Sequence, residues 1–88
     1  MEGQSLISPE VVARYARDAA QEVPGVRVAA KGVRVEAEAI ELRLAVEWGR
    51  SIPDVCAAVQ ERVGSYLARM TAVRPAVNVV VEEIDGDP

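Results

Sequence analysis

The chain has 88 residues, half of them apolar, with two tyrosines and one tryptophan as its only aromatics and a net charge of −4. That is the length of one domain, and its acidic balance works against phosphate-backbone binding, which relies on clustered Lys and Arg. There is no histidine and one cysteine, Cys56. Imidazole catalysis, most zinc sites and an internal disulfide are thereby excluded.

The opening "MEGQSLISPE" has neither the basic nor the long apolar region of a secretory signal. The longest uncharged runs, Gly3 to Pro9 and Pro75 to Val81, fall far short of the roughly 18 to 20 residues of a membrane helix. These features lead to the expectation of a soluble cytoplasmic domain.

In "ISPEVVARYARDAAQEVPG", Ser8 is a good N-cap, Pro9 suits the first helical position, and Glu10 complements the helix dipole. Ile7 and Val12 fit a hydrophobic staple. Val12, Tyr15, Ala16, Ala19 and Val23 form one apolar stripe, so a helix is expected from about Pro9 to Glu22, stopped by Pro24-Gly25. Period-two alternation follows. Val26 and Val28 form one short strand, Lys31-Gly32 reads as a turn, and Val33, Val35 and Ala37 form a second strand. The phase then slips: Ile40, Leu42, Leu44, Val46 and Trp48 are the apolar set of a third strand, so the chain must turn or bulge near Glu38-Ala39. In this phase Trp48 points inward as a core plug.

"VEWGRSIPDV" redirects that strand into a second helix. Gly49 reads as the corner residue rather than a ligand cradle, because a turn alone explains it. Ser51 with Asp54 matches a short capping box, and Pro53 is tolerated in the first turn. Val55, Val59, Val63, Leu67 and Met70 give a 3.6-residue apolar face. Gly64 beside it suggests close packing against the alanine-rich first helix. Cys56, on the margin of that face, reads as a small hydrophobe. The last strand is "AVNVVVEEI", with Val77, Val79 and Val81 inward and Asn78, Val80 and Glu82 outward. The expected architecture is α+β in the order α-β-β-β-α-β. It is a two-layer sandwich with both helices on one face of a small mixed sheet; the domain is expected to span residues 7–84, with 1–6 a loose, flexible N-terminus and 85–88 a flexible tail.

No glycine-rich phosphate motif or nucleophile–base pair is present, so no catalytic, cofactor or metal residues are assigned. The strand carboxylates alternate with arginines and read as ion pairs on a solvated face. Two groups stand out. Trp48, Gly49 and Pro53 form a structural corner, and Val80, flanked by Asn78 and Glu82, marks a terminal strand whose edge could pair with another chain.

These pieces, "ISPEVV", "EVPGV", "VEWGRSIPDV", "VQERV" and "VNVVVEEI", together resemble the alkaline shock protein family of bacterial envelope-stress proteins, over about residues 7 to 84. The family's corner, an aromatic then glycine with an Ile-Pro pair opening the second helix, corresponds to Trp48, Gly49, Ile52 and Pro53. The resemblance implies a non-enzymatic interaction module without cofactors. Its partners would be a protein or a weak homo-oligomer, not nucleic acid, and any membrane association would be peripheral, through a partner. The alternative is a small ligand- or nucleic-acid-binding domain of KH-like or BON-like plan.

Overall fold

The computed structural model describes residues 8–72 and 74–86; the expected loose segment 1–6 lies outside them. The Ser8 hydroxyl accepts a hydrogen bond from the Val11 amide at 3.3 Å, and Pro9 opens α1 (Pro9–Gln21). Then come β1 (Val26–Val35), β2 (Ala39–Glu47), α2 (Ile52–Thr71) and β3 (Ala76–Asp85). The strands form one mixed sheet in the order β1-β2-β3. β1 runs antiparallel and β3 parallel to β2, so β2, α2 and β3 make the expected crossover.

The architecture is the expected α+β sandwich, with one strand fewer. The two stretches of alternation before Glu38 are a single strand, because Lys31-Gly32 does not reverse the chain. Val28 faces Leu44 and Val33 faces Leu42, so Ala29, Ala30, Lys31 and Gly32 stand opposite Arg43 alone in a wide bulge. The bulge is held from outside the sheet: the Arg17 guanidinium, on α1, donates to the carbonyls of Ala29 at 3.1 Å and Ala30 at 2.8 Å. Gly32 is required for close approach, since a Cβ there would lie 2.7 Å from the Arg43 carbonyl oxygen. The true reversal comes where the phase slips, with the Glu36 amide donating to the Ala39 carbonyl at 2.8 Å.

The core sits between the helices and one sheet face. Ile40, Leu42, Leu44 and Val46 of β2 meet Val55, Val59, Val63 and Leu67 of α2 and Ala16, Ala19 and Ala20 of α1. Alanines on α1 let it approach closely, and Tyr15 and Tyr66 close the helix pair edge-to-face, ring centres 5.8 Å apart. The opposite sheet face carries charge. Arg27 on β1 reaches across Ala45, which is 4% exposed, to Glu83 at 3.5 Å and Asp85 at 3.0 Å on β3. Both outer strands are thereby tied over the central one.

Gly64 serves a different neighbour from the one its sequence context suggests. The nearest atoms to a Cβ built on it all belong to the Arg74 guanidinium, at 3.0 to 3.1 Å, not to α1. α2 ends in a left-handed Ala72 (φ 65°), and Arg74 then folds back along the helix. There it donates to Glu61 at 3.0 Å and to the Ser65 hydroxyl at 3.2 Å, while Ser65 donates to Glu61 at 2.6 Å. This clasp fixes the point from which β3 starts.

Two predictions follow from this packing. Gly32→Ala should destabilise by about 2–3 kcal/mol, because the clash is with backbone. Gly49→Ala, at φ +92° with nothing within 4 Å of a Cβ, should cost only the backbone term of about 1–2 kcal/mol. Urea unfolding that ranks the two the other way contradicts the bulge geometry. The second concerns acid. Hydrogen bonding to Arg27, and then its charge, holds the Asp85 carboxyl below its ordinary value. The Ser65 and Arg74 hydrogen bonds do the same for Glu61. Both carboxyls bind protons less readily folded than unfolded. Their contribution is therefore complete above the unfolded carboxylate range and is lost as pH falls through the folded values. Unfolding midpoints should hold from pH ~7 to ~5 and drop below about 4. The drop should be shallower in an Arg27→Gln/Arg74→Gln double variant; an unchanged acid slope would show that these pairs are inert.

Candidate functional site

In a strand, the N–H and C=O of one residue point to the same side and alternate along the chain. The Ala76 amide donates to the Glu38 carbonyl at 3.2 Å, which turns Ala76, Asn78 and Val80 toward β2. Val77, Val79 and Val81 therefore direct their backbone groups away from β2, where the described residues supply no further strand. The side chains of these three valines pack against the core, while Asn78, Val80 and Glu82 are exposed. The carbonyl of Val77 is covered by α2, whose Gln60 side-chain amide donates to it at 3.1 Å. Up to the register shift after Val81, Val79 and Val81 are thus left as the open part of the edge.

The trio expected from the sequence lies together on β3. Val80 is 42% exposed and sits directly across from Arg43, with Asn78 across from Glu41. Glu82 occupies the register shift, between Val81 opposite Leu44 and Glu83 opposite Ala45, and lies 3.7 Å from Arg43. Beyond this bulge the alternation inverts. The Asp85 carbonyl now faces β2 and accepts from the Trp48 amide at 2.8 Å, so the strand continues through a residue expected to begin the tail.

The corner residues behave differently from one another. Ser51 accepts from the Asp54 amide at 3.4 Å and caps α2, with Pro53 in its first turn. Gly49 turns the chain with φ +92° and is surrounded by open space. Trp48 is not a core plug: it is 52% exposed. Its alternation phase is right, but the strand has run past the part of the sheet that the helices cover. Ile84, across from the buried Val46, is 42% exposed at the same end. A large aromatic and an isoleucine thus share an uncovered corner at the far end of β3. Only the Trp-Gly sequence at the very end of an apolar strand hinted at this exposure.

The remaining surface offers little to chemistry. The groove beside the start of β3, about 370 Å³, is lined by Ala57, Gln60, Glu61, Arg74, Pro75 and Val77. A second, about 450 Å³, runs between the ends of α1 and α2, where Arg62 pairs with Glu22 at 2.6 Å. Among the described residues no group of three or more His, Cys, Asp or Glu could hold a metal ion, and no helix is long and apolar enough to cross a membrane. Cys56 is half-buried. The arrangement can hold an extended chain by backbone hydrogen bonds, with apolar contact from Val80 on one face and Ile84 on the other.

Comparison with known proteins agrees with the fold. Solved structures of MamM-CTD are similar: one variant at 23% identity, covering 86% of this chain and 99% of that one, has a TM-score of 0.62. A MamM CTD variant in a cadmium form is 26% identical over 84% of this chain and 95% of that one, TM-score 0.60. No curated protein matches the sequence. The sequence profile of the alkaline shock protein 23 family, described as having cell envelope-related function, matches residues 27–86, from the start of β1 to just past the end of β3. The chain belongs to that family.

Proposed function

We propose that this domain is a non-enzymatic, cytoplasmic protein-interaction module in the service of the cell envelope, and that it accepts an extended partner segment along β3. The observation that carries this is the asymmetry of the sheet's two edges. β1 is broken by the Ala29–Gly32 bulge into short regular flanks, while β3 presents Val79 and Val81 beside the exposed Val80. Backbone bonds would supply affinity, and Val80 and Ile84 would supply selectivity. The family's envelope-related description supports the setting, and contact with a membrane would be indirect, through the partner. No catalytic residue or cofactor is assigned, since the chain has no histidine. The metal-loaded forms named for MamM CTD find no matching donor set among the described residues. The alternative, a nucleic-acid or small-ligand domain, has less behind it: Arg27, Arg43, Arg50, Arg62 and Arg74 each lie within 3.9 Å of a carboxylate, so their charge is offset rather than open to a phosphate backbone.

Immobilised wild-type chain and a Val80→Lys variant, each exposed to lysate of the source cell, test the reading. Captured proteins identified by mass spectrometry should fall about tenfold with Val80→Lys, a loss of about 1.4 kcal/mol in binding, and should persist with Lys31→Glu on the opposite edge. Identical capture by all three, or salt-sensitive micromolar binding of oligonucleotides near ~150 mM salt, contradicts it.

A further inference from the structure

The open edge also has a polarity, and that polarity selects a partner. β3 begins beside Arg74 and ends in Glu82, Glu83 and Asp85. A second β3 laid parallel would set acid against acid. Laid antiparallel, it sets the acidic end of each copy beside the start of the other strand and away from the other's acids, while Arg74 stays committed to Glu61. Such an arrangement is two-fold and uses the same patch twice. Resting on the reading of β3 as the docking edge, we propose that its occupant is a second copy of this chain, paired antiparallel about a two-fold axis at Val80.

The alternation of the strand fixes the register. The edge-facing backbones are those of Val79 and Val81, so in this register Val79 of one copy exchanges both hydrogen bonds with Val81 of the other. Val80 then meets Val80 at a position without hydrogen bonds, where side chains approach most closely. Val80, the one large apolar side chain exposed on the charged face among the described residues, is thereby covered by its own copy. Asn78 falls opposite Glu82, an amide donor beside a carboxylate, so Glu82 never faces Glu82. This removes the repulsion that a carboxylate-rich strand would otherwise bring to self-pairing. The groove flanking the start of the edge is lined by Ala57, Gln60 and Glu61; Gln60 stays on the Val77 carbonyl and Glu61 in its clasp, so pairing centres on Val79 to Val81. The other edge cannot substitute, because its bulge leaves no comparable run of regular strand. Pairing therefore stops at two copies and yields a continuous six-stranded sheet, from the three strands of each chain.

Cysteine cross-linking of the full chain reads this register directly. In a Cys56→Ala background, Val80→Cys should oxidise to a covalent dimer, because opposed Cα atoms at such a position lie about 4.5 Å apart, within disulfide reach. Asn78→Cys alone and Glu82→Cys alone should cross-link at least tenfold more slowly, yet the two mixed should give the heterodimer. Sedimentation of the unmodified chain should show association that strengthens as salt rises, since two chains of net charge −4 repel each other and salt screens that repulsion. Equal cross-linking at all positions, no dimer from Val80→Cys and none from the mixture, or a chain that stays monomeric by sedimentation at every salt concentration overturns self-pairing. If captured partners still depend on Val80 while these experiments fail, the docking edge stands and its occupant is another protein.

Discussion

A three-stranded sheet has one strand whose backbone is bonded on both sides, and here that strand is β2. Everything else is arranged around it. Its four inward residues, Ile40, Leu42, Leu44 and Val46, are almost fully buried and form the floor on which both helices rest. With only Val, Leu, Ile and Ala on that floor, the layers stay thin and no deep cavity opens. The central position of β2 also means that each of its neighbours is an edge. An edge strand is a row of unspent hydrogen-bonding groups that a protein must either spoil or use.

The two edges are treated in opposite ways. On β1 the ladder is interrupted, and the displaced carbonyls of Ala29 and Ala30 are satisfied by Arg17 rather than left for another chain. Gly32 makes this feasible by letting the bulge close against the Arg43 carbonyl. On β3 the ladder is regular from Ala76 to Val81. It is anchored by the Arg74–Glu61–Ser65 clasp at its start and by Arg27 at its end. Because β3 arrives by a crossover through α2, its start is fixed by the return of Arg74 onto Gly64, a mid-helix glycine that carries a helix-propensity cost of about 1 kcal/mol. The chain belongs to a family described as having cell envelope-related function, and the proposed docking makes use of this regular edge.

Much of this was legible in the sequence, and the misses share a cause. Local signals held: Ser8 and Ser51 cap their helices, the valines of β3 alternate as expected, and the phase slip near Glu38 marks the real hairpin. The bulge was read as a turn because Lys-Gly is a turn dipeptide by local rules. What keeps the strand going is Arg17, on another element. Gly64 was assigned to α1 for the same reason, as its neighbour Arg74 reaches it only after the chain leaves the helix. Trp48 fails differently. Alternation says which face a residue occupies, but not whether that face is covered at that point along the strand. At the candidate site, alternation alone placed Asn78, Val80 and Glu82 on one face of the last strand, while that strand's register with β2 required the fold.

The central claim is that β3 alone carries an unsatisfied, chain-accepting edge. Amide hydrogen exchange, resolved by residue in dilute protein, tests it most directly. Val79 and Val81 should exchange at least tenfold faster than their neighbours Asn78 and Val80, and should slow when the protein is concentrated or a partner is added. Uniform protection along β3, unchanged by concentration or partner, would mean that the edge is already closed and the account is wrong.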